Sequence, residues 1–227
     1  MHLPFSSATS AVLLTLFGLD VLFIGMHFAA SFSLSVGSTR VAEIFYGHFN
    51  LFGEQALPES YNYAKWGMAT VLSFAAFTVS RHKVFLGVAF ASAMFFLDDA
   101  GQVHEKMGAF FHEFGMPGYG ELDAASVGEL AGFAGLGGLV FLGLGFAWIV
   151  AGRFQRKLLK VMLVAIVGMI LCGGFVDIMH NLIADNVSGW FVANVTGVIE
   201  DGGEMIFISL YSACAFSLAL DAFRRTS

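Results

Sequence analysis

The residues best able to do chemistry are carboxylates and imidazoles set at the ends of apolar runs. The stretch FFLDDAGQVHEKMG (95–108) carries Asp98, Asp99, His104 and Glu105. FVDIMHNLIAD (175–185) adds Asp177 and His180, and VIEDGGEMIF (198–207) adds Glu200, Asp201 and Glu204. At about 100° per residue, Asp98, Gln102 and Glu105 align on one helix face. Asp177 with His180 and Glu200 with Glu204 make further same-face pairs. Carboxylates crowded together repel unless some are protonated or a cation sits among them. A mixed oxygen and imidazole set suits Zn²⁺, Fe or Mn better than Ca²⁺ or Mg²⁺. The expected metal ligands are therefore Asp98, His104, Glu105, Asp177, His180, Glu200 and Glu204. His27, Asp99, Asp201 and Glu129 stand as additional ligands.

Each of these residues also has a plain explanation. Charge at a membrane interface is cheap, and acids opening a helix complement its dipole. It is their spread over three helices that favours function. Asp20 is the most deeply placed acid; it either pairs with a polar group in the bundle or belongs to a proton path. Gly128 and Gly132, at GxxxG spacing, predict close helix packing. Cys172 and Cys214 lie in apolar runs and read as packing residues. There is no HExxH, GxSxG, P-loop or basic patch for nucleic acid. Haem fits poorly in a pocket with so many carboxylates.

The elements that must position these groups are long and apolar. The 227-residue chain is 57% hydrophobic and 12% charged, with 27 Gly and only 3 Pro. Its mean hydropathy is +0.77. This predicts an all-α, polytopic transmembrane helix bundle forming a single domain over 1–227. Six spans are expected, at roughly 11–34, 64–80, 84–104, 129–151, 160–183 and 198–221. The N-terminal segment lacks Lys and Arg, so the first apolar run reads as retained rather than as a signal peptide.

Charge placement orients the bundle. Arg81, Lys83, Arg153, Arg156, Lys157, Lys160, Arg224 and Arg225 fall on one side, leaving only Arg40, Lys65 and Lys106 on the other. The positive-inside rule then makes both termini cytoplasmic in a multi-pass inner (plasma) membrane protein. The acidic cluster lies toward the outer face.

NLFGEQALPESYNYAKW (50–66), FFLDDAGQVHEKM (95–107) and VIEDGGEMIFISLYS (198–212) resemble segments of a broad group of bacterial six-helix integral membrane proteins of uncharacterised activity. That group has an LDE…HE motif on a mid-chain helix and an EE…E motif opening the last. The resemblance implies a helical membrane protein and singles out Asp98, Asp99, His104, Glu105, Glu200, Asp201 and Glu204. Asp99 stands where the group has Glu. Membrane hydrolases of the alkaline ceramidase type use an HxxxH pair, which this chain lacks. Ferritin-like di-iron bundles use two carboxylate-x-x-His pairs, of which only Asp177–His180 is present, since Gly101 precedes His104 by three.

Two functional readings follow. In the first, a divalent-metal site near the outer face activates water against a lipid-like substrate. In the second, the same acids titrate in a proton- or cation-coupled carrier or channel, with Asp20 extending the path. An accessory role in a membrane complex is the third expectation. The partners expected are the lipid bilayer and a membrane protein or a second copy of the chain.

Overall fold

The computed structural model describes residues 5–37, 39–53, 56–119, 123–175 and 190–226. Nine α-helices are described: α1 (Ser7–Val36), α2 (Arg40–Phe49), α3 (Leu57–Ser80), α4 (Val84–Gly101), α5 (Val103–Glu113), α6 (Ala124–Val150), α7 (Arg153–Ile170), α8 (Trp190–Gly197) and α9 (Gly203–Thr226). π-helical turns follow α7 (Leu171–Phe175) and precede α9 (Val198–Gly202). No strand occurs among the described residues, so the protein is all-α.

The helix starts follow from local chemistry. Ser6 accepts from the Thr9 amide at the head of α1, Thr39 from the Ala42 amide at α2, and Asp123 from the Ser126 amide at α6. Each short polar side chain satisfies a backbone donor that the helix itself leaves open.

Four segments are long and apolar enough to cross a membrane: Ser7–Val36, Val84–Gly101, Ala124–Val150 and Asn194–Thr226. α3 carries Glu59 and Lys65, and α7 opens with Arg153, Arg156, Lys157 and Lys160, which lowers their apolar content. On α1 and α6 the outward side chains are themselves large and apolar: Leu14 is 70% exposed and Ile149 75%. Surface of that kind suits hydrocarbon far better than water.

The chain divides into two compact units, Met1–Lys65 with Lys157–Ser217, and Trp66–Arg156 with Leu218–Ser227. In the first, the buried positions of α1 include Thr9, Leu16, Asp20, His27 and Ser31. Spacings of four and seven put Asp20, His27 and Ser31 on one face. The helix therefore turns a polar stripe inward and hydrocarbon outward.

In the second unit α6 packs antiparallel to α4 and also lies along α5. Glycine sets the approach. A Cβ at Gly87 would collide with the Gly143 carbonyl and lie 2.8 Å from the Ala147 side chain. At the other end of α6, a Cβ on Gly128 would fall 2.6 Å from the Met107 carbonyl, and one on Gly132 2.8 Å from His104 Cα. The expected GxxxG packing is thus present, with α5 as its partner.

The expected 84–104 helix is interrupted. Gln102 takes a left-handed conformation, φ 49° and ψ 46°, so α4 stops at Gly101 and α5 leaves in a new direction. Asp98, Gln102 and Glu105 consequently do not form a continuous stripe, because 100° periodicity holds only within one helix.

Candidate functional site

Two polar constellations are built into the described chain, one in each unit. In the first unit, Lys65 Nζ lies 3.0 Å from Asp20 Oδ1, with the two side chains 1% and 0% exposed. The ammonium also donates to the Met205 carbonyl at 2.8 Å and to Ser209 Oγ at 3.2 Å. Ser209 Oγ in turn donates to Asp20 Oδ2 at 2.6 Å. Three helices, α1, α3 and α9, supply one closed network. The Tyr61 ring stands 4.5 Å from the ammonium and adds a cation–π contact.

Two turns along α1, His27 is fully buried. Its Nδ1 accepts from the Leu51 amide at 3.2 Å, so Nε2 carries the proton and donates to Asn194 Oδ1 at 3.1 Å. Ser31 Oγ donates to the same oxygen at 2.7 Å. Both ring nitrogens are committed, which makes His27 a neutral hydrogen-bonded residue in this state rather than an available ligand.

The second unit holds the motif helix corner. Asp98 Oδ1 accepts from the His104 amide at 3.2 Å and from His104 Nδ1 at 2.8 Å. The carboxylate thereby caps α5 from across the break at Gln102, whose own side chain makes no cap bond. Lys106 Nζ donates to the Gly101 carbonyl at 2.7 Å and closes the end of α4. The His104 ring stacks on Phe133 of α6, centroids 4.0 Å apart, and its Nε2 lies 3.8 Å from Glu105 Oε1. Asp99 faces elsewhere, accepting from the Trp66 indole at 2.9 Å. Trp66 itself stacks on Phe95.

Of the residues expected at a site, Asp98, His104 and Glu105 come together, and Asp99 is bonded to Trp66. Glu129 lays its methylene stem against Gly108, within the α5–α6 contact that also brings Gly132 onto His104. Glu200 and Asp201 lie in the π-helical turn Val198–Gly202, and Glu204 opens α9 with its carboxylate against Gly173. Asp177 and His180 lie outside the described residues. Among the described residues, no three His, Cys, Asp or Glu side chains gather closely enough to hold a metal ion.

Lys65, Ser209, Asn194 and Trp66 were not expected at a site. Lys65 counts as an outer-side charge by topology, yet the structure buries it. Its place in an apolar run, YAKWGMATVL, was the available signal: a lone lysine there needs an acid.

His104 responds to pH through this corner. Burial pulls its imidazolium down, but the Asp98 hydrogen bond and the charges of Asp98, Glu105 and Asp99 outweigh burial and raise its pKa above the usual 6.5. A raised folded-state pKa stabilises fully below the unfolded value, and that stability is lost as pH rises through the folded value. Thermal unfolding of wild type and His104→Gln between about pH 5 and 9 should show a gap that is widest at the acid end and narrows upward. A gap that widens with pH contradicts this placement of the proton.

No curated protein and no solved structure matches the chain significantly. A family model described as a domain of unknown function matches residues 14–218, taking in both constellations. Since that match spans most of the sequence, the chain belongs to the DUF8692 family.

Proposed function

We propose that the protein is a proton- or cation-coupled carrier of the inner membrane, in which Asp20 and Lys65 exchange the coupling ion. The observation that carries this reading is the Asp20–Lys65 pair, buried on an apolar helix. Ionised side chains at such depth are costly, about 2.5–3.5 kcal/mol each on insertion scales, and are concentrated on ion and proton pathways.

The chemistry of the pair supports it. Asp20 Oδ1, the Met205 carbonyl and Ser209 Oγ converge on the Lys65 ammonium, which behaves as a tethered cation. Withdrawal or deprotonation of that ammonium leaves the same oxygens facing a proton on Asp20 or a small cation. Asn62 Oδ1, one turn before Lys65, is a buried acceptor with no hydrogen-bond partner among the described residues. His27 and Ser31 continue the polar face along α1.

This reading places the chain as a single multi-pass domain of six spans, α3 and α7 completing the four apolar segments. Both termini are cytoplasmic, in keeping with the lysine and arginine bias. The test is reconstitution in liposomes holding a pH-sensitive dye. An imposed pH or cation gradient should drive flux through wild type, and Asp20→Asn should return it to the level of empty liposomes. Absence of flux under H⁺, Na⁺ and K⁺ gradients would overturn the reading.

A second reading, a divalent-metal centre of Zn, Fe or Mn serving a metal-dependent enzyme on a lipid-like substrate, is favoured by the Asp98–His104–Glu105 corner. Asp98 holds Nδ1 in the way outer-shell carboxylates orient metal-binding histidines, leaving Nε2 beside Glu105. Elemental analysis of the purified protein separates the readings. Stoichiometric metal lost in both His104→Ala and His180→Ala supports the metal centre; metal-free wild type rejects it.

A further inference from the structure

The end of the second unit opposite the acidic corner combines an apolar groove with a cluster of basic residues. The groove, about 340 Å³, runs between α4 and α6. Its walls are Leu86, Phe90, Leu139, Leu142 and Phe146, and its floor is the close contact of Gly87 with Gly143. The walls are open to the outside: Phe90 is 42% exposed, Phe146 42% and Leu142 69%. Because no Cβ fits at Gly87, the floor stays sunk between two ridges of large side chains.

Four basic residues crown one end of this groove. Lys83 lies one turn before Gly87, and Arg81 just before that, both exposed. Ala147, which abuts Gly87, is followed by Trp148, and then by Arg153 and Arg156 just beyond the end of α6. Arg156 folds back along the helix, its Nε donating to the Trp148 carbonyl at 3.3 Å and its guanidinium standing 5.8 Å from the Trp148 ring. A tryptophan with arginines at a helix end is the usual dressing of a membrane–water boundary. No Asp or Glu occurs in 80–90 or 139–156, so nothing of opposite sign neutralises the cluster within these segments.

We infer that this groove and its basic rim bind one anionic phospholipid, with the phosphate held by Arg81, Lys83, Arg153 and Arg156 and an acyl chain lying between α4 and α6. Charge complementarity selects the occupant. An apolar helix of a second copy would fill the groove but leave four cations unanswered, whereas a phospholipid of negative headgroup satisfies both halves. Basic pockets between membrane helices on the cytoplasmic side recognise anionic headgroups in this manner. The site rests on the membrane reading alone and is independent of ion coupling through Asp20.

Native mass spectrometry of the purified full chain tests it, after exchange into mixed micelles of phosphatidylglycerol and phosphatidylcholine. Wild type should retain one phosphatidylglycerol in preference to phosphatidylcholine. Arg81→Gln and Lys83→Gln should each reduce that preference roughly fivefold, the effect of one basic group near an anionic surface. Leu142→Trp, which fills the groove, should reduce retention of both lipids. Lys106→Gln, a cation at the other end of the unit, should change nothing, and glycerol phosphate should fail to displace the bound lipid. Equal retention of the two lipids by wild type overturns the proposal. So does an equal loss in Lys106→Gln, which would mark diffuse attraction, or displacement by glycerol phosphate, which would mark a headgroup site with no role for the groove.

Discussion

A charge buried on a long apolar helix has to find its opposite, and the Asp20–Lys65 pair meets that requirement here. Neither ion touches the surroundings, so each must be answered within the first unit. The answer involves a carbonyl and a hydroxyl from α9 as well as the two ions, which ties α1, the start of α3 and α9 to one point. Polar groups at such a point specify register: a slip of one residue on α1 would carry Asp20 about 100° away from Lys65. The inward stripe of α1 then brings His27 to Asn194 and the Leu51 amide.

The second unit is organised by a different constraint. α5 and α6 approach until backbone meets backbone at Gly128 and Gly132, and α4 meets α6 at Gly87 and Gly143. That closeness brings the His104 ring over Phe133 and leaves the Asp98 carboxylate to bridge the break between α4 and α5. A left-handed glutamine is an uncommon cost. Here it is offset by the Asp98 cap on α5 and the Lys106 contact with the Gly101 carbonyl. Asp98, His104 and Glu105 gather at one end of the α4–α6 pair, and Arg81, Lys83, Arg153 and Arg156 flank the other.

Much of this was legible in the sequence because hydrophobic length and glycine spacing are local signals. The long apolar helices lie close to where composition puts them, and Gly128 and Gly132 pack as their spacing predicts. Asp98, Gln102 and Glu105 were expected on one continuous stripe, which the left-handed Gln102 breaks, and the Asp98–His104 bond across that break was not expected. Helical periodicity carries no warning of a left-handed residue when that residue is not glycine. The partners of buried charges were the least legible part. Lys65 stands 45 residues from Asp20 and 144 from Ser209, and no spacing rule spans such distances. The same holds for His27 and Asn194, whose bond only the fold can reveal. Sequence topology placed Lys65 outside because counting charges by loop cannot tell an exposed lysine from a paired one.

The most direct measurement of the central claim is a double-mutant cycle on Asp20→Asn and Lys65→Met, read as unfolding free energy in mixed detergent–SDS micelles. Each single change leaves one buried ion without its partner and should cost about 3–5 kcal/mol. The double variant should lose far less than the two together, since it removes both charges. Additive losses in the cycle, or single variants as stable as wild type, would contradict the account.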